Sequence, residues 1–107
     1  ITFNLEGGSW MNASKVTVGG GSTEATLELT HKKTFGKQTV LDVQSNGKVQ
    51  LNSGVREHVG ELWLGGVKQP SGIWGSSASG AQNVDDTHFV GEGQVVVGKL
   101  GLILVVQ

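Results

Sequence analysis

The chain contains no cysteine and one proline, and only 16% of its 107 residues are charged. The absence of cysteine excludes a disulfide framework, a thiolate metal site and cysteine chemistry, and leaves the compartment open. A formal net charge of -1 argues against the strongly basic face of a nucleic-acid binder. Nowhere do about 18 apolar residues run together, as a helical membrane span requires, and the apolar tail "LGLILVVQ" is too short for one. No signal peptide is visible at Ile1. The chain instead opens mid-pattern at "ITFNL", which suggests one domain excised from a longer secreted protein. Helical periodicity is also lacking, with no long apolar stripe at 3.6-residue spacing. Glycine is abundant at 18 residues, but without the G-X-Y period of collagen.

What is present is a series of short alternating runs. "ITFNL", "KVTV", "ATLEL", "TVLDV", "KVQL", "ELWL", "THFV", "QVVV" and "LILVV" are rich in Val, Thr, Leu or Ile and bounded by Gly, Ser or Asn. That is the signature of strands and of an all-β fold. Strand parity puts Leu41 with Val43 on one face, and Val49 with Leu51 on one face. A three-residue loop at Ser45-Asn46-Gly47, with Gly47 left-handed, would join these runs as a hairpin in which Val43 faces Val49. A second pattern competes with it. Val18, Leu27 and Leu29 recur as Val40, Val49 and Leu51, each displaced by 22 residues (40 − 18, 49 − 27, 51 − 29), as in a β-solenoid with inward aliphatic rows. The expected architecture is a short β-solenoid-like domain, with an antiparallel β-sandwich as the alternative. Antiparallel pairing of "TVLDV" with "KVQL" would favour the sandwich.

From Ala25 onward, "ATLELT", "TVLDVQSNGKVQLNSG", "GELWLGGVKQPSGIWGSS" and "DDTHFVGEGQVVVG" carry a resemblance. The segment resembles the closing coils of bacterial secreted proteins with autotransporter-associated β-strand repeats, and similar tails of extracellular glycan-active proteins. The matching pieces are the turn from Gly66 through Pro70 and Gly72 to Trp74-Gly75, and the strand Phe89-Val90-Gly91-Glu92-Gly93. The first 24 residues lie outside the match. The resemblance implies a secreted, extracellular right-handed β-helix or its cap, and fixes no activity.

Trp63 heads the candidate binding residues. Leu62 and Leu64 flank it, so inward leucines turn it outward on a flat β face, the geometry that stacks on a sugar ring. Trp74 follows Pro70 in a turn where the resembling proteins keep an aromatic, so packing under the loop competes with ligand contact. Trp10, in "GGSWMNAS", is a third candidate. Lys32, Lys33 and Lys37 beside His31 form the one basic cluster, suited to the carboxylates of an acidic polysaccharide such as pectin, or to blunting a strand edge. Asp85 and Asp86, near Asn83 and Thr87, are candidate Ca²⁺ ligands, against the ordinary use of Asp in turns. His88 alternates with Phe89, and is expected to face solvent if Phe89 is core.

Catalytic signals are missing. His31, His58 and His88 have no metal-ligand spacing, no Gly-x-Ser-x-Gly elbow occurs, and the pairs Glu57/Glu61 and Asp85/Asp86 have no demonstrable cleft. Gly19 to Ser22 opens no helix and reads as a turn. Asn12 would be a glycosylation sequon only in a eukaryotic host. The expected function is a non-catalytic, extracellular carbohydrate-binding module for a plant or microbial polysaccharide, appended to a larger enzyme or surface protein. It would need no cofactor beyond the candidate Ca²⁺, and would contact neither nucleic acid nor membrane. Alternatives are a structural cap or stalk segment of a β-helical surface protein, and a polysaccharide lyase or hydrolase fragment.

Overall fold

Alternating runs such as "KVTV" and "ATLEL" become strands by burying one row of aliphatics and leaving the other row at least partly exposed. The computed structural model describes residues 2–5, 14–30, 35 and 38–98, and the fold they form is all-β. The strands are β1 (Thr2–Leu5), β2 (Lys15–Val18), β3 (Ala25–Leu29), β4 (Val40–Val43), β5 (Gly47–Leu51), β6 (Arg56–Val59), β7 (Glu61–Leu64), β8 (Val67–Lys68), β9 (Gly72–Gly75), β10 (Asn83–Val84), β11 (Phe89–Val90) and β12 (Gln94–Val97). They form three four-stranded sheets: β1-β3-β5-β11, β10-β9-β12-β6 and β2-β4-β7-β8.

Most neighbours are parallel and come from well-separated parts of the chain. β3 pairs with β5 and β5 with β11 in the first sheet, β2 with β4 and β4 with β7 in the third, and β6 with β12 in the second, all parallel. Inward side chains then stack in rows. Val16, Leu41 and Leu62 form one row of the third sheet, and Val18, Val43 and Leu64 the next. In the first sheet Leu27, Val49 and Phe89 align, as do Leu29 and Leu51. All of these are buried, and full burial of a side chain of this kind contributes about 1.5–3 kcal/mol.

The expected Ser45-Asn46-Gly47 hairpin is not formed. β4 pairs with β2 and β7, whereas β5 pairs with β3 and β11. Segment 44–46 is a corner between two sheets, and Gly47 is absent from the positive-φ glycines. Glycine is needed there for another reason: a Cβ would collide with the carbonyl oxygen of Val18. Asn46 holds this corner against the one before it. Its Oδ1 accepts from Gly20 N at 2.7 Å, and its Nδ2 donates to Gly21 O at 2.7 Å and Thr23 O at 3.0 Å.

The 22-residue displacement holds for only part of the pattern. Leu27 partners Val49 and Leu29 partners Leu51, but Val18 partners Val43, a displacement of 25 (43 − 18), rather than Val40. The first corner, 19–24, is three residues longer than 44–46, which accounts for the difference.

Two sheets end in reversed strands. Gly65 and Gly66, with φ of 58° and 87°, make a two-residue turn that returns β8 antiparallel to β7. β9 runs antiparallel to β12, and β10 lies parallel on the far side of β9. Positive φ at both turn positions suits the right-handed twist of a tight hairpin, and glycine reaches it without strain.

Candidate functional site

The third sheet carries the candidate surface. Leu62 and Leu64 are buried and Trp63 is half-buried between them, pointing to the opposite face as its parity requires. Register aligns Thr17, Asp42, Trp63 and Lys68 in one row across β2, β4, β7 and β8, with Lys15, Val40 and Glu61 aligned beside it. Adjacent members of such a row stand about 4.8 Å apart.

Polar contacts tie the row together. Trp63 Nε1 donates to Glu61 Oε1 at 3.0 Å, fixing one edge of the indole, and Lys68 Nζ lies 3.8 Å from Glu61 Oε2. Lys15 Nζ lies 3.5 Å from Asp42 Oδ2, which also accepts from Gln44 Nε2 at 2.8 Å. Asp42 Oδ1 is buried without a hydrogen-bond partner. Among the described residues, Lys15 and Lys68 are therefore each matched by a carboxylate, and an aromatic ring sits among hydrogen-bond acceptors.

The other tryptophan of the motif is not on this surface. Trp74 is 8% exposed, belongs to the hydrophobic core, and donates from Nε1 to Pro70 O at 3.1 Å. Its burial in the core accords with the packing role weighed against ligand contact. Trp10, Lys32, Lys33, Lys37, His31, Asn12 and the apolar tail lie outside the described residues.

Asp85 and Asp86 do not converge as a cation site would require. Asp85 Oδ1 accepts from the backbone N–H of Thr87 at 2.8 Å and of His88 at 2.9 Å, and its Oδ2 lies 3.0 Å from His88 Nδ1. Asp86 Oδ1 accepts from Ser77 N at 2.8 Å, and Asn83 Nδ2 donates to Ile73 O. Among the described residues no three His, Cys, Asp or Glu side chains are grouped to hold a metal ion, whereas Ca²⁺ takes about six to eight oxygens. The pair is a turn-former. Burial pulls the Asp85 carboxyl upward, but the His88 hydrogen bond and charge, together with the two amides, outweigh it and hold the group below the usual carboxylate range.

His88 also departs from expectation. It is 8% exposed beside Phe89 at 1%, because it ends the 85–88 turn and does not follow strand alternation. His58 is bonded through Nε2 to Gly98 O at 2.7 Å. Glu57 and Glu61 share no cleft: Glu57 is fully buried, with Oε1 accepting from Phe35 N at 3.1 Å, while Glu61 faces outward beside Trp63.

Sequence reasoning missed Lys15, Asp42, Gln44 and Lys68. Lys68 was within reach of it, because "LWLGGVK" places a Gly-Gly turn signal between two runs and pairs Lys68 with Trp63. Lys15 and Asp42 reach the row only through parallel pairing between distant strands. No family model matches the chain, and neither do curated proteins or solved structures.

Proposed function

We propose that this chain is the terminal segment of a β-solenoid and acts as its structural cap. One observation carries the reading: parallel pairing prevails until one end of the stack, where β8 and β9 run backwards along β7 and β12. A further parallel strand laid on β7 or β12 would have to displace them. The strands that end the three sheets on this side, β8, β10 and β11, have two residues each, which is too short to template another chain effectively. At the opposite end the outermost described strands, β1, β2 and β6, remain in the parallel sense.

The test uses the internal register. A second copy of residues 25–46 inserted after Asn46 adds 22 residues in phase with the β3–β5 pairing. In a stack of coils this insertion leaves a folded monomer with increased β signal by circular dichroism, because each added unit needs only its neighbours. The same copy placed after Gly98 meets reversed strands and stays unstructured. Equal disruption by both insertions would overturn the reading.

A second reading is favoured by the outward Trp63 row: non-catalytic glycan recognition on the third sheet. A rigid aromatic plate beside carboxylate and amide groups suits a sugar ring with its hydroxyls. Native affinity electrophoresis against a polysaccharide panel tests it, and absence of retardation by every glycan rules it out.

A further inference from the structure

We infer that Asn46-Gly47 is a site of spontaneous modification, deamidation to aspartate or isoaspartate, which the stacking of the coils holds in check. Of the five asparagines, Asn4, Asn12, Asn46, Asn52 and Asn83, Asn46 alone precedes a glycine. Glycine has no Cβ to obstruct its backbone nitrogen, so that nitrogen can reach the side chain before it. The step is a ring closure. Gly47 N bonds to Asn46 Cγ, the Cγ–Nδ2 bond breaks, and Nδ2 leaves as ammonia with the proton given up by Gly47 N. Water then opens the succinimide. Its attack at Cγ gives aspartate, and its attack at the Asn46 backbone carbonyl gives isoaspartate with a lengthened main chain. Solvent supplies this water, since the bonds made by the Asn46 side chain lie in an exposed setting.

The stacked corners need both residues of this reactive pair. A Cβ at position 47 would collide with the Val18 carbonyl, and Asn46 supplies the bonds to Gly20, Gly21 and Thr23. The same contacts block the ring closure. Nδ2 donates twice, to Gly21 O and Thr23 O, and Oδ1 accepts from Gly20 N, so a turn of the side chain toward Gly47 breaks these bonds. Gly47 is buried, and its N–H donates to Gln44 O at 2.8 Å. Cyclisation therefore waits for corner 44–46 to part from corner 19–24, a local opening that leaves the rest of the fold in place. Conversion then makes the parting permanent. Aspartate puts an oxygen where Nδ2 stood, facing two carbonyl oxygens with no proton between them at neutral pH. Isoaspartate also displaces Gly47, where β5 begins its pairing with Ala25 of β3. The pair thus acts as a chemical record of coil opening.

The experiment incubates the full chain at mildly alkaline pH, native and in guanidinium chloride, and follows each asparagine by peptide mapping with mass spectrometry. The expected result is that Asn46 converts first in the unfolded chain, and about tenfold or more slowly in the native one. Gly19→Ala tests the shield without altering the reacting pair, because its Cβ would press on Asn46 Oδ1 and Gly47 N. This variant is expected to convert several-fold faster than the wild type under native conditions and to match it in guanidinium chloride. Should Gly19→Ala fail to fold, the comparison of native with unfolded wild type decides alone. Asn46→Asp presents the product directly, and its urea midpoint is expected below that of Asn46→Ala, because a carboxylate facing two carbonyls adds repulsion to the lost bonds. Equal conversion rates in native and unfolded wild type overturn the inference, as does a folded Gly19→Ala chain that converts no faster than the wild type. An Asn46→Asp midpoint at or above that of Asn46→Ala overturns the permanent parting of the corners.

Discussion

Asn46 shows how one side chain can carry the stacking of a fold. It bonds to Gly20, Gly21 and Thr23 of the preceding corner, so it adds to the backbone bonds Gln44 N to Val18 O and Ala25 N to Asn46 O where the chain turns between sheets. Asn46→Ala removes three hydrogen bonds in an exposed setting, and thermal or urea unfolding is expected to show a loss of about 1–3 kcal/mol. An unchanged midpoint would mean that water substitutes fully. Asn-Gly chemistry places this residue in a turn, but the turn is a corner between sheets and not the expected hairpin. The local signal is the same for a hairpin and a corner. Only the strand that comes to lie alongside distinguishes them, and that strand is about 22 residues away.

At the scale of elements, the two tryptophans of "GELWLGGVKQPSGIWG" separate into two roles. Parity within β7 sends Trp63 outward, while β9 buries Trp74 against the core. Trp74→Ala is expected to cost about 3–5 kcal/mol in urea unfolding, the range for truncating a buried aromatic, whereas Trp63→Ala leaves most of the stability intact. The turn Asp85–His88 makes a prediction in pH. The Asp85 pKa is lowered in the folded state, so its stabilising contribution is present above the unfolded value near 3.8 and is lost as pH falls through the folded one. Asp85→Asn is therefore expected to lower the unfolding midpoint at neutral pH and to flatten its fall on acidification. An acid limb as steep as that of the wild type would count against this turn as a contributor. The turn itself was legible, since Asp pairs form turns by bonding their own backbone. The burial of His88 was not, because parity has no authority outside a strand.

Across the whole molecule, parallel pairing of β2, β4 and β7 gathers Lys15, Asp42 and Trp63 on one face, and the antiparallel β8 adds Lys68, although they are scattered from position 15 to 68. The proposed cap arises at the same scale: reversal of β8 and β9 matters only because the strands beside them run the other way. The in-phase insertion after Asn46 tests this level directly, since neighbour-limited stacking tolerates an added unit that a sandwich core would not. The sequence by itself determined the positions of β1 to β5, β7 and β12, the inward aliphatics of β4, β5 and β7, and the outward side of Trp63, because alternation is local; β6, β8, β9 and β10 lack such a run. The tertiary structure alone decided which strands are neighbours, where the 22-residue displacement gives way to 25, and which polar groups surround Trp63. Those outcomes depend on corner length and on close approaches such as that of Gly47 to Val18, which exist only once distant segments have packed together.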